Sequence, residues 1–209
     1  MEEVLDVYKR PYDPSHPMVC MDECSKQLIA DVRQVISAEP GQVERYDSEY
    51  KRNGTANIFM GFEPLMGRRF TQITEHRTNI DWANYVKYLA DDCYPKAEKI
   101  VLVMDNLNTH KKASLYEAFT PAEAKRIADK LEIHYTPKHG SWLNMAELEL
   151  SVLSRQCLDR RIENKMLLVK EVAAWNNERN EKKVAVKWQF TTADARIKLH
   201  KLYPTITSG

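Results

Sequence analysis

The sequence predicts an α/β protein in which helices flank a mixed central sheet. Apolar runs typical of strands come first, helices and strands alternate in the middle of the chain, and the last third is mainly helical. With 209 residues, of which 43% are hydrophobic, the chain is long enough to bury one sizeable core.

The first half of the chain predicts strands. Residues 1–17 are rich in proline and charge, which favours an extended N-terminal arm. The apolar run Met18 to Met21, ending at Asp22, predicts a buried strand, and Gln27 to Val32 predicts a strand that returns beside it. Residues 37–54 are polar, with turn signals at Pro40-Gly41 and Asn53-Gly54, and predict an irregular excursion. Ala56 to Phe62 and Arg69 to Thr74 then predict a hairpin whose connection contains Pro64 and Gly67.

The second half adds helices and two further strands. Helical spacing over Asp81 to Cys93 predicts a helix capped by Asp81. The unbroken apolar run Ile100 to Met104, which ends at Asp105, is typical of a buried strand. A capping box of Thr120 and Glu123 with Pro121 at the first position predicts a helix to about Leu131, followed by a strand over Glu132 to Thr136. Three more helices are predicted at roughly 144–160, 164–180 and 192–202.

Composition excludes some classes of protein. The net charge of +1 gives no overall basic character, so any DNA-binding charge must be local. No apolar run is long enough to span a membrane, and the acidic N-terminus lacks a signal core, so we expect a cytoplasmic protein. The four cysteines form no CxxC pair, and we expect them to be reduced and mostly buried.

Two predicted strands end in an aspartate, Asp22 and Asp105. Each alone is compatible with an ordinary residue at the end of a strand. Together near a core they would repel each other, and the usual remedies are protonation or a bound cation. Hard divalent cations such as Mg²⁺ and Mn²⁺ prefer oxygen ligands, so the pair favours a metal site.

A third acid, Glu147, follows the turn Gly140-Ser141-Trp142 in the first turn of a predicted helix with Asn144 as its cap. One alternative is that Glu147 only complements the helix dipole. The apolar residues of that helix predict that Glu147 faces inward and that Glu149, about 200° around the helix, faces polar surroundings. The residues of that inward stripe are Leu143, Ala146, Leu150, Leu153 and Cys157.

The strings MDE, LVMDNLNTH and YTPKHGSWLNMAELELSVLSR resemble the catalytic (DDE-type) domain of mariner-superfamily insertion-sequence transposases, in their bacterial IS-six-thirty branch. The resemblance runs from about Tyr8 to Tyr203. It implies a ribonuclease H-like fold and a catalytic triad of Asp22, Asp105 and Glu147 that binds two divalent metal ions, Mg or Mn. Asp22 would bridge both ions, and Asp105 and Glu147 would each hold one.

The resemblance also implies a function and a domain plan. We expect residues 18–160 to form the catalytic core and residues 161–209 a C-terminal helical extension of the same domain. The expected activity is cleavage at transposon ends and strand transfer into target DNA, at TA dinucleotides, by a homodimer bound to DNA in the bacterial cytoplasm and nucleoid. Family members carry helix-turn-helix modules, and too few residues precede Asp22 to hold one. Two other functions stay open: another ribonuclease H-like nuclease such as a resolvase, or a non-catalytic DNA-binding remnant of a transposase.

Several neighbours of the triad are further candidates. Asn106 and His110 would either orient Asp105, contact a phosphate, or make only structural hydrogen bonds. Glu23 is a candidate acid that supports the metal ligands without being one of them, although a solvated position is favoured. Asn144 is a candidate supporting residue, and Trp142 is a candidate to stack on a base, although an aromatic anchor of the core is favoured. Candidate phosphate contacts are Lys111, Lys112, Lys138, Arg155, Arg160 and Arg161.

Overall fold

The computed structural model describes residues 1–33, 38–43, 48–107, 110–138 and 140–203. One sheet contains β1 (Met18–Asp31), β2 (Tyr50–Glu63), β3 (Arg68–Thr74), β4 (Ile100–Met104) and β5 (Leu131–Tyr135), in the order β3-β2-β1-β4-β5. The first three strands form an antiparallel meander, and β4 and β5 run parallel to β1. The predicted mixed sheet of an α/β protein is confirmed.

The first strand is longer than predicted. Residues 18–31 form one continuous strand, so the predicted returning strand over Gln27 to Val32 was wrong. The turn predicted at Asn53-Gly54 was also wrong, because these residues lie inside β2. Gln27 of β1 pairs with Thr55 of β2, and Ile29 pairs with Arg52. Asn53 and Gly54 therefore lie opposite the single residue Leu28 and form a β-bulge. The φ of Gly54 is +90°, a conformation that glycine adopts without a steric penalty.

Parts of the predicted excursion over residues 37–54 lie outside the described residues, namely 37 and 44–47, as do Asn108, Thr109 and His139 of the quoted motifs and residues 204–209 of the predicted extension. Within the described part of the excursion, Glu39 and Gln42 form an isolated β-bridge. The predicted hairpin of β2 and β3 is confirmed.

Seven α-helices lie in the described part of the chain. They are α1 (Glu2–Tyr8), α2 (Asn79–Tyr88, continued by a π-helical turn over Leu89–Cys93), α3 (Lys112–Ala118), α4 (Pro121–Asp129), α5 (Met145–Gln156), α6 (Lys165–Glu181) and α7 (Thr192–Lys198), with 3-10 turns at Ser141–Leu143 and His200–Leu202. Helix α1 contradicts the predicted extended arm, because its apolar residues Val4, Leu5 and Val7 are buried against the sheet. None of the helices in these ranges is long and apolar enough to cross a membrane.

Two predicted helix caps differ from the structure. Helix α2 is capped by Thr78, and Asp81 completes the capping box from the third helical position. Thr120 precedes α4 and Pro121 lies in its first turn as predicted, but the Thr120 side chain makes no capping hydrogen bond. Glu123 instead forms ion pairs with Lys87 and Arg126, because two cations lie within reach of its half-buried carboxylate.

The sheet is covered on both faces. Val19 and Met21 of β1 pack with α2, α3 and α4 on one face, whereas Met18 and Cys20 pack with α1 and the start of α5 on the other. A third apolar cluster joins the far ends of β1 and β2 to α5 and α6, and Leu168, Val172 and Trp175 face inward there as predicted. All four cysteines are free thiols, of which Cys20 and Cys157 are buried.

Candidate active site

The parallel pairing of β1 and β4 brings Asp22 and Asp105 to the same level of the sheet. Cys20 pairs with Val103, and each aspartate lies two residues beyond its member of that pair. Strand β4 ends at Met104, so Asp105 lies just beyond the strand, whereas Asp22 lies within β1 with β2 on its other side. The two carboxylates therefore share the edge where β4 stops.

The Asp22 carboxylate lies among other acids. Burial raises the pKa of Asp22 to about 7, and the charges of Glu23, Asp105 and Glu147 add to the effect, against a hydrogen bond from the Glu23 N–H. That N–H donates to Asp22 Oδ1 at 2.8 Å. A carboxyl group that is costly to ionise among like charges favours a proton or a bound cation. Asp105 and Glu147, the other two predicted catalytic acids, therefore both act electrostatically on Asp22.

Asn144 fixes the start of α5 beside β1. Its side-chain carbonyl accepts from the Ala146 N–H at 3.1 Å, and its amide donates to the Met21 backbone oxygen at 2.9 Å. The side chain is buried, so both bonds are protected from water. Asn144 thus caps the helix as predicted and also joins it to the residue before Asp22, which places Glu147 near the aspartates.

We expect Asn144→Ala to lower the free energy of unfolding by about 1–3 kcal/mol, because it removes a helix cap and leaves the Met21 carbonyl without its partner. Urea unfolding would measure the loss. Asn164→Ala, which removes the cap of α6 and an exposed hydrogen bond to Glu163, is the matched control and should cost less. Equal losses in the two variants would show that the bond to Met21 contributes nothing.

The burial predicted for Glu147 and Glu149 was wrong for both residues. Glu147 is exposed, whereas Glu149 is 3% exposed. The buried Glu149 accepts from Arg69 Nε at 2.8 Å and lies 2.7 Å from Arg179 Nε. The apolar stripe of α5 does not reveal this, because the two arginines that compensate the charge come from β3 and α6.

His110 links two of the acids. Its Nδ1 lies 2.6 Å from Asp105 Oδ1, and its Nε2 lies 3.1 Å from Glu23 Oε2. These are charge contacts, since Nδ1 and the two carboxylate oxygens have no partner in hydrogen-bond geometry. Burial alone would lower the pKa of His110, but Asp105 and Glu23 outweigh it and raise that pKa to about 9. The favoured solvated position for Glu23 was wrong, because its side chain is only 3% exposed.

His110 is held firmly against the protein. Its ring stacks on Trp82 with centroids 6.0 Å apart, and its backbone oxygen accepts from the Tyr135 hydroxyl at 2.8 Å. The position therefore agrees with the predicted role of orienting Asp105. Asn106, the other candidate beside Asp105, is exposed.

Trp142 lies in the 3-10 turn before α5 and is 39% exposed. Its ring stacks on Trp188 at 6.3 Å and meets Phe190 edge-on at 5.8 Å. Trp142 is thus part of an aromatic cluster near the surface, with one side open to solvent.

The candidate phosphate contacts are dispersed. Lys111 and Lys138 are exposed on the segments that follow β4 and β5, which end at the carboxylate edge. The Lys112 ammonium donates to the Leu131 oxygen, and Arg155 donates to its own helix. Arg160 pairs with Glu171 and Arg161 with Asp31. Asp31 lies nine residues beyond Asp22 on β1, roughly 30 Å along the strand, so Arg161 is remote from the carboxylates.

The acids match divalent cations in donor chemistry. Carboxylate oxygens suit Mg²⁺ and Mn²⁺, and Asp105 Oδ1 and Glu23 Oε2 are buried without a hydrogen-bond partner. Across the described ranges, however, no three His, Cys, Asp or Glu side chains form a group that could hold a metal ion as they stand. The carboxylate ligands therefore suit a divalent cation in kind, but the described side chains are not close enough together to surround one.

Comparisons with known proteins agree with this architecture. The Mos1 mariner paired-end complex with Mn superposes with a TM-score of 0.57 at 15% identity, covering 88% of this chain and 55% of that chain. The Mos1 strand transfer complex gives a TM-score of 0.56 at 15% identity, covering 88% and 58%. At such identity the likeness shows the fold, which is the predicted ribonuclease H-like one, and this chain spans a little over half the length of those relatives. No curated protein matches the chain.

The sequence itself places the chain in a family. The sequence pattern of the family described as "DDE superfamily endonuclease" matches residues 17–168, which include Asp22, Asp105 and Glu147. Since the match covers well over half of the chain, this protein belongs to the DDE superfamily endonuclease family.

Proposed function

We propose that this chain is the catalytic domain of a DNA transposase that cleaves DNA at transposon ends and joins them to target DNA. The observation that carries the proposal is the placement of the half-buried Asp22 and of Asp105 at the same level of the parallel pair β1 and β4, where burial and the charges of Glu23, Asp105 and Glu147 raise the pKa of Asp22 to about 7. The Mos1 complexes, which have the same fold, support the choice of a transposase among the endonucleases of the family.

Finer assignments belong to the same proposal. The chain would come from the bacterial IS-six-thirty branch, act in the cytoplasm and nucleoid as a homodimer on DNA, and insert at TA dinucleotides. Residues 18–160 would form the catalytic core and residues 161–209 its helical extension. These assignments rest on the resemblance of the quoted motifs.

The residues that would hold two divalent cations are Asp22, Asp105 and Glu147. Such ions, when bound, activate an attacking oxygen and stabilise the leaving oxygen of a phosphodiester. Asp22 supplies a carboxylate on a strand that is paired with β2, and Glu147 supplies one that is open to solvent. His110 orients Asp105 and balances its charge, and Asn144 holds the first turn of α5 beside β1. Lys111 and Lys138 would bind phosphates near this edge.

Mn²⁺-dependent cleavage of supercoiled DNA tests the proposal. We expect Glu147→Gln to slow cleavage by more than about a hundredfold, because it removes a charged metal ligand while leaving an exposed side chain of the same size. Glu181→Gln is the matched control, since Glu181 is an exposed acid at the end of α6.

Three outcomes would contradict the proposal. Cleavage by Glu147→Gln at the rate of the control would remove Glu147 from the site. A wild-type chain that neither cleaves DNA nor binds Mn²⁺ in a calorimeter would favour the non-catalytic remnant. Cleavage without joining of ends to a target would favour a nuclease such as a resolvase.

A further inference from the structure

A groove of about 530 Å³ lies beside α1. It runs between residues 9–12, called here the N-terminal turn, and the segment that joins α6 to α7. Rings from Tyr8, Tyr12, Trp188 and Phe190 line it, together with the cations of Lys9, Arg10 and Lys187. The remaining lining residues are Pro11, Leu65 and Thr191. None of the described residues that line the groove carries a carboxylate, so the lining is more basic than the whole chain, which has almost equal numbers of acids and bases.

The cations of the groove remain accessible to a ligand although two of them form ion pairs. Lys9 pairs with Asp6 and Arg10 with Glu132, but their side chains are 49% and 46% exposed. Lys187 is exposed, and Lys198 lies 5.7 Å from the centre of the Phe190 ring at one side of the groove. Exposed cations around aromatic rings are the combination that binds a nucleic acid strand through its phosphates and its bases.

A continuous row of rings joins the groove to the start of α5. Trp188 lies 5.2 Å from Tyr8 and 6.3 Å from Trp142, measured between ring centroids. The Tyr8 hydroxyl donates to the Leu143 oxygen at 2.5 Å, and Leu143 is four residues before Glu147. The row therefore begins beside the proposed catalytic helix and leads away from it toward the N-terminal turn.

We propose that this groove binds an unpaired DNA strand, whose bases stack on Trp188 and Trp142 and whose phosphates contact Lys187 and Lys9. The inference rests on the proposed function, because cleavage at transposon ends would leave DNA termini, whose last base pairs can open and present an unpaired strand. An unpaired strand fits better than a duplex, since duplex bases are already stacked on each other and do not offer their faces to protein rings.

Binding of a fluorescent dT oligonucleotide of about 20 nucleotides to the full chain, without divalent metal, tests this inference. We expect Trp188→Ala to raise Kd by about tenfold or more, and Trp188→Phe to restore most of the binding, because each stacked base contributes about 1–3 kcal/mol. Lys187→Gln should lower the slope of log K against log salt by about 0.7, the value for one phosphate contact with a single strand. Lys170→Gln, an exposed lysine on α6, should bind like the wild type.

The inference is overturned if Trp188→Ala and Lys187→Gln both bind the strand like the control Lys170→Gln. It is also overturned if a duplex of equal length binds more tightly than the single strand. If Trp188→Ala does not fold, the exposed Lys187 still decides the question through the salt slope. Repeating the measurement with Asp105→Asn separates the two proposals, because that variant should lose cleavage and retain strand binding.

Discussion

Asp22→Asn and Asp105→Asn should abolish Mn²⁺-dependent cleavage, by at least about a thousandfold. Both residues lie at the edge where β4 ends, and an amide in place of the carboxylate removes the negative charge that a divalent cation needs. A cleavage rate within about tenfold of the wild type in either variant would contradict the assignment.

Stability measurements distinguish loss of chemistry from loss of fold. Ionised Asp22 is disfavoured in the folded protein, since burial and neighbouring acids raise its pKa to about 7. A raised pKa means that ionisation above that pH destabilises the fold, so the neutral Asn should keep or raise Tm in metal-free buffer at pH 8. Asp159→Asn, at an exposed position near the end of α5, is the control for both activity and Tm.

Glu149→Ala should be the most destabilising change to an acid of α5. It leaves Arg69, which is 0% exposed, and Arg179 without their shared carboxylate. The Arg69 guanidinium would keep its hydrogen bonds to the backbone oxygens of Gly67 and Val184 and its contact with the Phe62 ring, none of which supplies a negative charge. Removing one partner of a buried ion pair costs about 3–5 kcal/mol, so the urea midpoint should fall sharply.

Glu147→Ala is the matched control, two residues away on the same helix. Because Glu147 is exposed, its removal should change the free energy of unfolding by no more than about 0.5 kcal/mol. Equal stability of the two alanine variants would contradict the role of Glu149 as the counter-charge of Arg69. A larger loss of stability in Glu147→Ala than in Glu149→Ala would instead favour the inward position that the sequence predicted for Glu147.

Features that depend on short stretches of sequence were predicted well. The apolar run before Asp105 is β4, the Gly-Ser-Trp turn precedes α5, and Asn144 caps that helix. The sequence did not predict that β1 continues through its polar half. From Asp22 onward the strand is no longer flanked by β4, and few of its residues are buried. Strand patterns based on apolar runs end where that burial ends.

Contacts between distant segments could not be predicted from spacing. Glu149 is buried because Arg69 and Arg179 converge on it, and Glu23 is buried because His110 folds back between it and Asp105. In both cases a charge lies inside the protein with its partner, where the sequence alone favours solvent. The triad stays a prediction, and all three positions lie within residues 17–168, which the family pattern matches.

The fold constrains the backbone of the three acids to different degrees, because only Asp22 lies inside a long strand. Asp22 is held in the middle of a central strand, paired with Met60 of β2, whereas Asp105 follows the last residue of a short strand and Glu147 lies in the first turn of a helix. Strand centres open far less readily than element ends. Asp22 is therefore the acid whose position the fold constrains most, and a change in the distances among the carboxylates would arise at Asp105 and Glu147.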